Sequence, residues 1–191
     1  MSTNWFIAIP ILPGVWFDDR LEPSVPGLWR VHPSDLHLTI AYLGAVEESI
    51  AREAFALHRL WKEGAIDAQS GPMIPLGDPH RYSALVMTLT EGNEKAKSMM
   101  TTLGPLMRAA AGRPPEEREP LPHITVTRAK RRTGKRERAE GLRWSQRLEL
   151  LPFPLILNQL ALYRGRNATE GPRYEMMARV RWEESARGSV Q

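Results

Sequence analysis

The chain has 191 residues, of which 42% are apolar and none is cysteine, and it carries a net charge of +4. This length suits one domain or two small lobes and supports a core without disulfides. The lack of cysteine excludes a thiol nucleophile, a redox pair, cysteine-ligated zinc and iron–sulfur clusters, and it fits the reducing cytoplasm. The longest apolar run, residues 5–17, is too short for a membrane span and is interrupted by Pro and Gly.

The apolar patterning predicts seven strands and three helices along the chain, and the basic stretch after the second motif is expected to be part loop and part helix. Strands are expected at residues 5–9, 37–43, 66–78, 82–89, 123–127, 155–163 and 174–182. Helices are expected at residues 15–21, 47–62 and 91–111, and Gly104-Pro105 should kink the third or split it in two. Because strands and helices do not alternate strictly, the order predicts an α+β fold with antiparallel sheets.

The positive charge is concentrated in one segment, residues 128–147. This segment contains nine Lys or Arg residues and two Glu residues, for a net +7, which leaves −3 for the rest of the chain. Such a segment indicates a polyanionic partner, with RNA or DNA phosphate first and an anionic membrane surface second. A solvated basic loop and helix without a partner is about equally compatible with the charge pattern.

Two short motifs share the form His-apolar-Thr-apolar, one beginning at His37 and the other at His123. In a strand, residues i and i+2 lie on the same face, so His37 and Thr39 should lie together, as should His123 and Thr125. The apolar residues between them should pack into the core. One such tripeptide is ordinary in a strand, whereas two with the same flanks indicate an internal duplication and a shared site.

The two motifs together suit acid–base chemistry on a phosphodiester. One imidazole can remove a proton from the attacking oxygen while the other protonates the leaving oxygen. The threonine hydroxyls can donate to the nonbridging phosphate oxygens, where charge accumulates in the transition state.

These motifs resemble those of the 2H phosphoesterase superfamily, and more narrowly of the LigT-like RNA 2′,3′-cyclic phosphodiesterases, also called 2′-5′ RNA ligases. Four segments carry the resemblance, which covers roughly residues 4 to 182: residues 5–10, 36–44, 122–128 and 162–174. The resemblance implies one bilobal α+β domain over residues 1–191, with pseudo-twofold symmetry and one motif per lobe. Antiparallel sheets would line a central cleft, with helices outside.

The resemblance also implies the reaction and the roles of the residues. The reaction would be metal-independent hydrolysis of RNA 2′,3′-cyclic phosphate ends to 2′-phosphates. By analogy, His37 is the general acid and His123 the general base, and the two roles could be exchanged. Thr39 and Thr125 would bind phosphate oxygens, as would Arg128, although simple strand alternation places Arg128 on the opposite face unless the strand bends.

Other features of the sequence leave alternatives open. Tyr42 could stack on a base, although a core position is favoured for an aromatic residue among apolar neighbours. Gly134-Lys135 lacks the rest of a phosphate-binding loop, and metal-binding motifs are absent, so no cofactor, metal or ATP is expected. The expected partner is RNA with a cyclic phosphate end, with no membrane association, and the chain should act as a monomer. Alternatives are a 2′-5′ phosphodiesterase, a reversible ATP-independent ligase of tRNA halves, and a non-catalytic RNA-binding protein.

Overall fold

The computed structural model describes residues 3–148, 150–167 and 170–182. Within these residues the chain forms a mixed structure of strands and helices, which confirms the predicted α+β class. The strands are Asn4–Pro10 (β1), Leu28–Arg30 (β2), His37–Ala45 (β3), Ile66–Pro75 (β4), Ala84–Glu91 (β5), Ile124–Ala129 (β6), Pro154–Leu157 (β7), Gln159–Gly165 (β8) and Tyr174–Arg181 (β9). The helices are Glu48–Ala56 (α1), Asn93–Ala110 (α2) and Lys135–Arg147 (α3).

The described strands form one antiparallel sheet made of two matching halves. Its order is β7-β4-β5-β6-β3-β1-β8-β9, and the short β2 pairs with β6. β3 and β6, which carry the two motifs, are joined only through the partners Leu38 and Ile124. On either side of this seam lie three further strands, and each motif strand is followed in the chain by a helix. The arrangement is pseudo-twofold about the seam, as the repeated motif predicts.

One face of the sheet holds the core and the helices. Leu38 and Ile124 are both 0% exposed and belong to the same buried cluster as Leu103 and Met107 of α2. Because side chains alternate along a strand, the residues next to Leu38 and Ile124 must lie on the other face. We call that other face, which carries both His-x-Thr pairs, the motif face.

The structure corrects several predicted boundaries. The strand expected at residues 155–163 is two strands, interrupted at Asn158, and the short β2 was not predicted. The helix expected at 15–21 is only a short 3-10 turn at Asp19–Leu21, and α1 ends at Ala56, where a further 3-10 turn, Leu57–Leu60, follows it.

The prediction that Gly104-Pro105 could split the third helix is wrong, since α2 runs unbroken through Pro105. Pro105 is exposed, so water can satisfy the carbonyl group that its missing N–H leaves free. Gly104 faces the sheet, where an added Cβ would lie 3.2 Å from the Ile40 carbonyl oxygen. The glycine therefore lets α2 approach β3 closely.

Candidate active site

The two motif histidines lie on the same face of the sheet, on either side of the seam. Antiparallel pairing at Leu38 and Ile124 places His37 on the side of Thr125, and Thr39 on the side of His123. All four motif side chains are partly buried. The structure therefore brings together the four residues that the sequence predicted.

Both imidazoles are held in the same way. Nδ1 of His37 donates to the carbonyl oxygen of Asp35 at 2.6 Å, and Nδ1 of His123 donates to that of Leu121 at 2.7 Å. A carbonyl oxygen only accepts, so Nδ1 carries the proton in each ring, and the lone pair of the neutral imidazole is on Nε2. Each motif thus presents one Nε2 for proton transfer.

Burial determines the protonation state of His37. Its ring lies 4.8 Å from that of Phe6, 5.5 Å from that of Tyr174 and 5.9 Å from that of Tyr163, measured between centroids. Burial lowers the pKa of His37 to about 4, against the raising effect of the hydrogen bond to Asp35, and the charges of Arg128 and His123 lower it further. His37 is therefore neutral at pH 7 in the free protein.

The pKa of His123 is also lowered, first by burial and then by the charge of Arg128, although its hydrogen bond to Leu121 acts in the opposite direction. Both imidazoles are therefore neutral near pH 7 before a ligand binds. The charge of Arg128 thus contributes to the lowered pKa of both rings. A bound phosphate would offset this positive charge and favour protonation of one imidazole.

A bulge explains how Arg128 reaches the motif face. Val126 has no partner in β5, between Thr125 and Thr127, which are paired. The extra residue reverses the alternation of the strand, so Arg128 returns to the face that carries Thr125. It lies opposite Trp29 of β2 in the register. This is the bend that the sequence required for Arg128 to join the site.

Asp35 is a residue of the site that the sequence analysis missed. It is buried, and its two carboxylate oxygens accept from the backbone N–H groups of Arg173 at 2.8 Å and Tyr174 at 3.2 Å. The carbonyl oxygen of Asp35 accepts the hydrogen bond from Nδ1 of His37. Burial of Tyr163 and the nearby charge of Asp35 raise the pKa of Tyr163 to about 12. The only sequence signal for this role is that an acidic residue lies two positions before the motif histidine. That signal does not identify the partners of Asp35, which are 138 and 139 residues away in the chain.

Tyr42 does not lie in the core. Bulges in β3 relative to β1 place it opposite Phe6, whose ring stacks on that of Tyr163 at 5.0 Å on the motif face. The side chain of Tyr42 is 43% exposed, so the favoured prediction of a core position is wrong. Its exposure on this face leaves base stacking as an open prediction.

The basic segment, residues 128–147, lies in more than one environment. Arg128 belongs to the motif face, whereas Arg138 donates from Nε to the carbonyl oxygen of Tyr82 at 3.0 Å. α3 packs through the buried Trp144 on the helix-bearing side of the sheet. The exposed cations of the segment are Lys130, Arg131, Arg132, Lys135, Arg136, Arg143 and Arg147. The segment is therefore not one continuous surface beside the histidines, and its binding to a polyanion stays a prediction.

Within residues 3–148, 150–167 and 170–182, no group of three or more His, Asp or Glu side chains is placed to hold a metal ion. None of the helices in this part of the chain is both long enough and apolar enough to cross a membrane.

The low pKa of His37 makes stability depend on pH. An unfolded histidine titrates near 6.5, so between pH 6.5 and about 4 the unfolded chain binds a proton that the folded chain does not. Over this range we expect the wild-type protein to lose about 3 kcal/mol of unfolding free energy relative to His37→Asn, whose amide can still donate to Asp35. Denaturant unfolding of both proteins from pH 7.5 to pH 4 measures the difference, and a constant difference would contradict the assignment.

The fold is that of the LigT-like phosphoesterases. LigT of E. coli, in a crystal structure with 3′-AMP, matches with a TM-score of 0.68 and 19% identity, over 96% of this chain and 100% of that chain. TT0787 of Thermus thermophilus matches with a TM-score of 0.67 and 21% identity, over 94% of this chain and 97% of that chain. Usb1 of Kluyveromyces marxianus matches with a TM-score of 0.54 and 14% identity, over 92% of this chain and 98% of that chain. These likenesses confirm the fold that the resemblance implies. The sequence itself matches no family model and no curated protein.

Proposed function

We propose that this protein is a 2H phosphoesterase that hydrolyses RNA 2′,3′-cyclic phosphate ends to 2′-phosphates. The observation that carries the proposal is the pair of imidazoles on one face, each with Nδ1 fixed by a carbonyl oxygen and both under the charge of Arg128. One domain spanning the chain would act as a monomer in the cytoplasm. Solved structures of E. coli LigT with 3′-AMP, ATP or NADP+ support a nucleotide-type substrate.

The proposed reaction needs only two proton transfers. Nε2 of His123 accepts a proton from water, and the water oxygen attacks phosphorus. The bond from phosphorus to O3′ breaks, and Nε2 of His37 gives its proton to O3′, which leaves a 2′-phosphate. Arg128, Thr39 and Thr125 stabilise the negative charge that accumulates on the nonbridging oxygens.

The pKa shifts bear on which histidine is the acid. The acid must carry a proton when the substrate is bound, yet both pKa values are lowered in the free protein. The anionic substrate raises them by contributing negative charge next to Arg128. Because burial disfavours the protonated form of His37, the exchanged assignment, with His123 as acid and His37 as base, stays open. The pH dependence of kcat in His→Asn variants would separate the two assignments.

Two alternatives use the same motif face. A 2′-5′ phosphodiesterase or an ATP-independent 2′-5′ ligase of tRNA halves would use the same proton transfers on a different diester. A non-catalytic RNA-binding protein would use the cations of residues 128–147, and its binding would weaken with salt and survive loss of both histidines. The fixed Nε2 atoms favour the catalytic alternatives.

The test is a short RNA ending in a 2′,3′-cyclic phosphate, incubated with the protein in excess chelator. We expect conversion to a 2′-phosphate, mapped by the sensitivity of the product end to a 2′-specific phosphatase. A 3′-phosphate product would contradict O3′ as the leaving group. RNA that is bound and not converted would favour another diester or the binding protein, and joining of tRNA halves through a 2′-5′ bond would favour the ligase.

A further inference from the structure

We propose that Arg173 binds the phosphate that precedes the terminal cyclic phosphate, and that it thereby selects RNA ends over mononucleotides. This inference rests on the proposed function. It concerns the β8–β9 hairpin, which lies in the half of the sheet that contains His37. The sequence analysis assigned no site role to any residue of this hairpin.

The backbone of Arg173 is fixed relative to His37. Its N–H donates to one carboxylate oxygen of the buried Asp35, and the N–H of Tyr174 donates to the other. The carbonyl oxygen of Asp35 accepts from Nδ1 of His37. A single buried residue thus sets the position of Arg173 and that of a motif histidine.

The side chain of Arg173 reaches the other half of the sheet. Its guanidinium carbon lies 4.4 Å from the centroid of the Trp29 ring. Trp29 belongs to β2, where it lies directly opposite Arg128 in the register, so the two residues share the motif face. The Arg173 guanidinium group, from the half that contains His37, therefore contacts the indole of the residue that pairs with Arg128.

The contact with Trp29 prepares Arg173 to bind an anion. Among the described residues neither Arg173 nor Arg128 has a carboxylate oxygen within 4 Å of its guanidinium group, so neither forms an ion pair. A guanidinium group stacked on an indole is held in place and keeps its in-plane N–H groups for hydrogen bonds. Paired N–H donors of this kind match the oxygens of a phosphate.

The number of cations indicates how long the substrate is. A 2′,3′-cyclic mononucleotide carries one phosphate, which Arg128 and the two threonines already bind in the proposed mechanism. An RNA end carries a further phosphate one nucleotide away, and Arg173 contacts Trp29, the residue that pairs with Arg128 across β2 and β6. Arg173 can bind that second phosphate in an RNA end, whereas a cyclic mononucleotide has no second phosphate to bind.

The test compares two substrates in one variant. For Arg173→Gln we expect KM for a dinucleotide with a 2′,3′-cyclic phosphate end to rise at least about tenfold with little change in kcat. KM for 2′,3′-cyclic AMP should rise less than threefold. Since the substitution leaves the backbone bond to Asp35 in place, the variant should fold. The matched control is Arg59→Gln, an exposed arginine of the 3-10 turn that follows α1 and lies outside residues 128–147, which should change neither KM.

Two results would overturn the inference. An equal loss on both substrates would mean that Arg173 acts through Asp35 and His37 or joins the two halves structurally, and a lower melting temperature would accompany the structural role. No change on either substrate would mean that the guanidinium contacts no phosphate. Arg173→Lys keeps the positive charge. Its KM for the dinucleotide should therefore lie between those of the wild type and Arg173→Gln only if Arg173 binds a phosphate.

A binding measurement separates this inference from the proposed function. The probes are 3′-AMP and a dinucleotide with a 3′-phosphate, titrated into the wild-type protein and Arg173→Gln. If the wild type cleaves neither cyclic substrate but the variant selectively loses affinity for the dinucleotide, the proposed reaction fails and the role of Arg173 stands. If the wild type cleaves both and the variant shows no selective loss, the reaction stands and the role of Arg173 fails.

Discussion

His37→Asn and His123→Asn should each lower kcat for a 2′,3′-cyclic phosphate by at least a hundredfold. Asparagine can still donate through its side-chain amide to the carbonyl oxygen of Asp35 or Leu121, which holds Nδ1 in the wild type. It lacks the Nε2 atom that transfers the proton, and a positioned acid or base typically contributes 10²- to 10⁴-fold. Single-turnover assays on a short RNA with a cyclic phosphate end measure the loss.

The double variant gives a second expected result. If the two imidazoles act in one concerted step, removing both should cost far less than the product of the two single losses. The pH profile should lose one limb in each single variant, because each limb reports one imidazole. Which limb disappears identifies the acid and the base.

His80→Ala provides the matched control. His80 is exposed in the loop between β4 and β5, and its backbone N–H donates to a carboxylate oxygen of Asp78. Its kcat should equal that of the wild type. Near wild-type turnover in either motif variant would exclude the two-histidine mechanism, even if RNA binding were retained.

The motif residues could be predicted from sequence because they depend on local alternation. His37, Thr39, His123 and Thr125 share one face for the same reason that Leu38 enters the core: side chains alternate along a regular strand. The duplication of the pattern then indicated that the two strands meet. The structure confirms this placement, with the Leu38–Ile124 pair at the seam.

Bulges mark the limit of that reasoning. The extra residue at Val126 puts Arg128 on the motif face, and irregular pairing of β3 brings Tyr42 to the same face. A bulge reverses the alternation and leaves no clear signal in a single sequence. For Arg128 the resemblance to a family supplied what alternation could not, and for Tyr42 the favoured prediction was wrong.

Contacts between distant segments mark a second limit. Asp35 meets Arg173, and Arg173 meets Trp29, across 138 and 144 positions of the chain. These contacts depend on how the two halves close around the seam, which composition and periodicity do not determine. The structural partner of Trp29 is an arginine from the other half of the sheet.

Arg128→Gln should reduce kcat/KM by about a hundredfold and raise the pKa of both motif histidines. Arg128 is the charged group that the two imidazoles share, and its charge lowers both pKa values. Removal of a group that stabilises developing negative charge typically costs 10²- to 10³-fold. The pKa values would be measured from the NMR titration of the imidazole Cε1–H resonances, and kcat/KM from hydrolysis of 2′,3′-cyclic AMP.

Two further variants separate charge from geometry. Arg128→Lys keeps the positive charge, so the histidine pKa values should stay lowered, while the loss of the paired N–H donors should still reduce kcat/KM. Arg131→Gln removes an exposed charge three residues further along the basic segment, and it should change neither quantity by more than threefold. If Arg131→Gln were as damaging as Arg128→Gln, the effect would belong to the total charge of residues 128–147. If Arg128→Gln left both pKa values unchanged, the guanidinium group would not act on the motif histidines, and the placement of Arg128 by the bulge would not explain catalysis.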